Sequence, residues 1–208
     1  MKKIKLTSLS LIALAFIASS FVVLNLSDEL AIGTKSPKAD VKMMDVSGKE
    51  VSFNDVKTAK GLLVIFSCNT CPYVKLSESR IKENTDFCNK NGIGSLIINS
   101  NEAQRDADDS FDAMKKYAGD QKLAVPYVLD KKSEMADAFG ATRTPQCFLF
   151  DAGGVLVYKG AIDDNVKDTK AVKQSYLKDA LMAVLIGAKP GVTETKSIGC
   201  TIKRLEQN

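Results

Sequence analysis

A chain of 208 residues is long enough to bury one adequate core and suits a single domain. Its composition, 45% hydrophobic and 26% charged with neither histidine nor tryptophan, is that of a soluble globular protein. The formal charge of +4 includes Lys2, Lys3 and Lys5, and the remaining +1 leaves no basic footprint for nucleic acid, so that class is excluded.

In chain order, residues 1–26 read as a targeting segment, three lysines followed by an uncharged apolar stretch over residues 9–26. As a signal peptide, residues 9–17 form its apolar core, and Ala18, Ser19 and Ser20 supply small residues for cleavage. As a membrane anchor, the stretch reaches the roughly 18–20 residues a span requires, with the lysines held in the cytoplasm. Both readings export the domain to the periplasm or another extracytoplasmic space, and any membrane contact is confined to this segment. Residues 27–38, with Gly33 and Pro37, read as a polar spacer, and the folded domain is expected over residues 39–208. It should open with a β-hairpin over residues 40–53, Val41 and Met43 alternating in one arm and Val51 and Phe53 in the other.

Residues 62–66 are a short apolar run between Gly61 and Ser67, the pattern of a strand buried on both faces. Cys68 and Cys71 follow at once, then Pro72, after which Val74, Ile81 and Cys88 recur at helical spacing up to Asn91 and Gly92. Residues three apart in a first helical turn lie roughly 5–6 Å apart at Cβ, close to disulfide geometry. The first cysteine is expected to face unpaired amide groups and the positive end of the helix dipole. Such sites lower thiol pKa values to roughly 3.5–7.5 from about 8.5, and the thiolate is the nucleophile of disulfide exchange. The expected chemistry is a redox-active dithiol, Cys68 attacking and Cys71 resolving, with no cofactor beyond their own disulfide. A structural disulfide and half of a zinc site are the alternatives. Zinc is disfavoured because histidine is absent and Cys88, Cys147 and Cys200 stand singly.

Residues 95–98 read as a second buried strand and residues 99–109 as a polar connection into a helix carrying Phe111, Met114 and Tyr117. Asp106, Asp108 and Asp109 suit the positive end of that helix better than a metal. Residues 125–129 read as a third strand, and Ser133 as the cap of a helix over Met135, Ala138 and Phe139. Pro145 either begins the strand of residues 146–150, where its missing donor is tolerated, or forms a cis peptide held for function. A turn at residues 151–154 returns residues 155–158 as a hairpin partner, and apolar positions from Val172 to Leu185 mark a last amphipathic helix. Cys88 and Cys147 read as packed core thiols. Alternating strands and helices ending in a hairpin indicate an α/β fold with a sheet part parallel and part antiparallel.

These stretches together, F-S-C-N-T-C-P-Y-V, N-S-N-E near residue 100, T-P-Q-C-F-L-F-D, Y-K-G-A-I-D-D-N and G-C-T-I-K, resemble the peroxiredoxin-like thioredoxin-family proteins. That group is a branch of the thioredoxin-fold redoxin superfamily related to AhpC/TSA-type redoxins. The resemblance implies a thioredoxin-like fold, a central mixed sheet flanked by helices with an extra N-terminal β-hairpin. It implies that Thr144 and Pro145 form a cis-proline turn beside the cysteines, with Thr144 contacting the partner chain. It also strengthens Cys200 as a third redox cysteine that resolves an adduct on Cys68, against an idle tail thiol. The chain departs from the pattern at Thr70, where relatives commonly carry histidine, and at Leu62, where thioredoxin keeps a buried acid. No general base is assigned in its place, and deprotonation of Cys71 is left to water or to Glu102.

The first functional reading is a thiol-disulfide oxidoreductase of the cell envelope acting on protein dithiols and disulfides. The second is a thiol peroxidase, with Cys68 peroxidatic and Cys71 or Cys200 resolving. That chemistry needs an arginine near the pair, for which Arg143 is the candidate, Arg80 being read as solvated. The third is a metal-binding chaperone, which the absence of histidine disfavours.

Overall fold

In a computed structural model of the protein, which describes residues 29–206, seven strands form one mixed sheet with helices on both faces. The targeting segment of residues 1–26 lies outside the described residues, among which no helix is long and apolar enough to cross a membrane.

The central strands are β3 (Leu62–Ser67) and β4 (Gly94–Asn99), paired in parallel from Leu62 opposite Gly94 to Ser67 opposite Asn99. Neither strand has an exposed residue, which is why both read as continuous apolar runs. Alternate side chains of β3 enter two separate cores. Leu63 and Ile65 pack with α2 (Pro72–Asn91) and α5 (Tyr176–Leu185), whereas Leu62, Val64 and Phe66 pack with Phe53 and with α4 (Glu134–Phe139). On that second face Phe139 meets Phe53, Phe66, Phe148 and Phe150 edge to face, with ring centroids 5.1–5.9 Å apart.

Outward on one side lie β5 (Tyr127–Leu129), parallel to β4, and the hairpin of β1 (Met43–Asp45) and β2 (Glu50–Val51). On the other side lie β7 (Gln146–Phe150) and β8 (Leu156–Gly160), both antiparallel to their neighbours. The expected mixed sheet and N-terminal hairpin are therefore present.

Several boundaries differ for local reasons. Phe53 leaves the hairpin to begin the short helix α1 (Phe53–Val56), because Ser52 and Asp55 form a reciprocal capping box. Helix α4 is capped by Asp130 rather than Ser133: its carboxylate accepts the Met135 and Ala136 amides at 2.9 Å, while the Ser133 hydroxyl donates to Ser100 O. Helix α5 starts only at Tyr176, since residues 163–175 form a loop tied by Asp163, Asn165 and Asp168. Residues 29–38 are no free spacer. They lie along β8, with Gly33 N donating to Leu156 O and Leu156 N to Thr34 O, and Leu30 packs on the second core.

Candidate active site

Strand β3 ends at Ser67, and the chain reaches Cys71 as the N-cap of α2 with Pro72 as its first helical residue. Cys68 and Cys71 are 1% and 4% exposed, so both sulfurs are held under the surface as free thiols, hydrogen-bonded to one another. A second element meets them from across the sheet. The Thr144–Pro145 peptide is cis, and Thr144 belongs to a two-residue strand β6 (Arg143–Thr144). Its hydroxyl lies 3.5 Å from Cys68 Sγ, and its carbonyl accepts from Cys71 Sγ at 3.2 Å.

The C-terminal segment completes the arrangement. Strand β9 (Cys200–Thr201) pairs antiparallel with β6, placing Cys200 opposite Thr144. That register sets Cys200 against the buried cluster that holds Cys68 and Cys71, where it acts on Cys71 and on the first turn of α2. All five residues singled out in the sequence, Cys68, Cys71, Thr144, Pro145 and Cys200, thus converge. Cys200 acts on Cys71, the second cysteine of the pair. The backbone edge of Thr144, expected to contact a partner chain, is held here by the protein's own tail.

Charge in the pair follows from these contacts. The hydrogen bond between the sulfurs draws Cys71 down to about 4, against the opposing effect of burial. The Cys200 thiol, the Val74 amide and the Thr144 hydroxyl lower it further. The same bond, reinforced by burial, pushes Cys68 up. The two sulfurs therefore share one proton and titrate as a pair, the thiol of one stabilising the thiolate of the other. Cys71 stands at the N-cap of α2, at the positive end of the helix dipole, although its side chain accepts no capping bond. The Thr144 carbonyl accepts from Cys71 Sγ and so favours the state in which Cys71 carries that proton.

Sequence reasoning missed a buried polar network beneath Cys68. Asp109 precedes α3 (Phe111–Asp120), which Ser110 caps, and turns inward rather than serving the helix dipole. Its Oδ1 accepts from the Asn69 amide at 2.9 Å and from Asn99 Nδ2 at 2.7 Å, and its Oδ2 from Asn101 Nδ2 at 2.8 Å. Tyr127 Oη donates to Asn69 Oδ1 at 2.8 Å and accepts from Asn99 Nδ2 at 3.0 Å. These bonds fix the residue between the cysteines, and the proximity of Asp109 adds to the upward push on Cys68. The asparagines at the end of β4 were the available signal, because a buried strand that ends in Asn-Ser-Asn needs partners for several amide groups.

Other residues named from the sequence have different tasks. Glu102 accepts from Arg105 Nε at 3.1 Å. Arg80 is buried, not solvated: it pairs with Asp163 at 2.6 Å and donates to Leu76 O, Asn165 O and Val166 O. Arg143 is exposed and donates to Thr201 Oγ1 at 2.9 Å. Cys88 and Cys147 are fully buried in the first core, as packing thiols should be. Among the described residues no group of three or more His, Cys, Asp or Glu side chains is placed to hold a metal ion.

Comparison with known proteins agrees with this architecture. A crystal structure of a hypothetical protein from Sinorhizobium meliloti 1021 superposes with a TM-score of 0.79 at 31% identity, covering 86% of this chain and 98% of that one. The thioredoxin domain of a thiol-disulfide oxidoreductase from Bacteroides vulgatus superposes with a TM-score of 0.54 at 22% identity, over 68% of this chain and 96% of that one, so the fold is thioredoxin-like. The chain is also 26% identical over 160 residues to the thiol-disulfide oxidoreductase ResA of Bacillus thuringiensis, covering 73% of this chain and 79% of the relative. Residues 31–175 match the Redoxin family, and the chain belongs to it.

Proposed function

We propose that the protein is a thiol-disulfide oxidoreductase of the cell envelope that exchanges electrons with protein disulfides through Cys68 and Cys71. The observation that carries this reading is the placement of two hydrogen-bonded thiols at the end of β3, with Thr144 against both sulfurs. The thiolate of Cys68 attacks one sulfur of a partner disulfide, forming a mixed disulfide and expelling the partner's other sulfur as a thiolate. The thiolate of Cys71 then attacks Cys68 Sγ, forming the Cys68–Cys71 disulfide and releasing the second partner sulfur. The partner gains two electrons and the pair loses them; the reverse sequence oxidises a partner dithiol. The lowered Cys71 thiol suits the second attack: Cys71 takes the proton of Cys68 before the first attack and yields it to the expelled partner thiolate before the second. The envelope location rests on the apolar stretch of residues 9–26. The peroxidase reading is less favoured, because Arg80 is taken up by the loop of residues 163–166 and Arg143 is exposed and donates to Thr201 Oγ1.

Equilibrating the full chain in glutathione buffers and mapping thiols by mass spectrometry tests the reading. A Cys68–Cys71 bond titrating between roughly −120 and −270 mV is expected. A bond that persists below about −300 mV, or none, would remove the oxidoreductase assignment.

A further inference from the structure

The segment of residues 199–204 is fastened across the cysteine site at nearly every residue. Gly199 passes so close to the cis peptide that a Cβ there would lie 2.2 Å from Thr144 O. Arg143 reaches Thr201, Ile202 N donates to Thr142 O at 3.1 Å, and the Ile202 side chain is buried in the second core. Lys203 N donates to Asn101 Oδ1, and Arg204 pairs with Asp137 while donating to Ala141 O. Anchors on both flanks of Cys200 hold it opposite Thr144, whose carbonyl Cys71 Sγ meets at 3.2 Å, and pack it on the cluster that holds Cys68 and Cys71. Of the three sulfurs, Cys200 is the one not fully buried.

We propose that Cys200 is a third redox cysteine that forms a disulfide with Cys71 in alternation with Cys68, so that Cys71 is shared by two mutually exclusive bonds. The inference rests on the oxidoreductase reading above. Starting from the Cys68–Cys71 disulfide, the Cys200 thiolate attacks Cys71 Sγ. The Cys71–Cys200 bond forms, the Cys68–Cys71 bond breaks, and Cys68 leaves as a thiolate that takes up the proton given up by Cys200. No electrons are gained or lost; the disulfide moves from two buried sulfurs to one the surface reaches. A reducing dithiol protein can then attack Cys200 Sγ, expelling Cys71 as a thiolate. Its second thiol next displaces Cys200 from the mixed disulfide, delivering two electrons through the sulfur that is not fully buried.

The test uses the full chain as wild type, Cys68→Ser, Cys200→Ser and the double variant Cys68→Ser with Gly199→Val, each checked for folding by circular dichroism. In glutathione buffers that oxidise the wild-type pair, Cys68→Ser is expected to carry a Cys71–Cys200 disulfide, and the double variant, with its tail displaced from Thr144, to lose it. Reduction of the oxidised protein by reduced thioredoxin is expected to be at least tenfold slower in Cys200→Ser than in wild type. Separate Cys71 and Cys200 thiols in Cys68→Ser, a bond that survives Gly199→Val, or an unchanged reduction rate overturns the proposal. Each of those outcomes leaves the Cys68–Cys71 reading standing, whereas a wild type that forms no Cys68–Cys71 bond removes that reading itself.

Discussion

Thr144 meets both sulfurs of the pair, through its hydroxyl for Cys68 and its carbonyl for Cys71. The hydroxyl lowers both thiols, so it stabilises whichever one carries the negative charge. Thr144→Val keeps the shape and removes that donor. The pH midpoint of alkylation by iodoacetamide is expected to rise by roughly one unit, about 1.4 kcal/mol, the scale of one hydrogen bond to a charged group. A midpoint that stays put or falls would show that the hydroxyl does not feel the thiolate. The residue types Cys68, Cys71 and Pro145 were legible because their spacing and context are local. Asp109 was not: in sequence it is one acid among three, and only the folded chain turns it toward the amides of Asn69, Asn99 and Asn101.

Among the elements, α2 carries the site at its start and braces the far loop at its middle. Arg80 holds Asp163 and the carbonyls of Asn165 and Val166 in a buried position. Arg80→Leu leaves Asp163 an uncompensated buried charge, and losses of about 3–5 kcal/mol accompany the breaking of such pairs. The urea midpoint of the variant should drop accordingly; a change under about 1 kcal/mol would mean that the loop repacks around the loss. Helical periodicity marked the stripe of Val74, Ile81 and Cys88 correctly. It could not show that Arg80, beside that stripe, points inward, since an arginine is buried only where tertiary partners satisfy its donors. Ser133 shows the same limit. It stands where a cap belongs, but Asp130 lies nearer the free amides and takes them.

Across the whole molecule, burial sets an alkaline limit on stability. Burial pushes up the phenols of Tyr117, Tyr127 and Tyr158 from an ordinary 10.0, and the thiol of Cys147 from 9.0. It pushes Cys88 up to about 12. Each group keeps its proton in the native state after the unfolded chain has lost it. Its stabilisation is therefore complete below the unfolded pKa and disappears as pH rises from there toward the folded value. The urea midpoint is therefore expected to fall from about pH 9 onward, by more than about 2 kcal/mol at pH 11. A midpoint constant from pH 8 to pH 11 would contradict this account.

The sequence by itself determined the α/β class, the order of most elements and the dithiol at the end of a buried strand. Those features are written in patterns a few residues long: alternating or continuous apolar runs, caps, turns and the spacing of Cys68 and Cys71. Tertiary structure alone decided that Cys200 lies opposite Thr144, that Thr144 meets both sulfurs of the pair, and that residues 29–38 lie along β8. These depend on contacts between segments far apart in the chain. Whether two such segments meet is settled by how the sheet and its two cores pack, which no local pattern records.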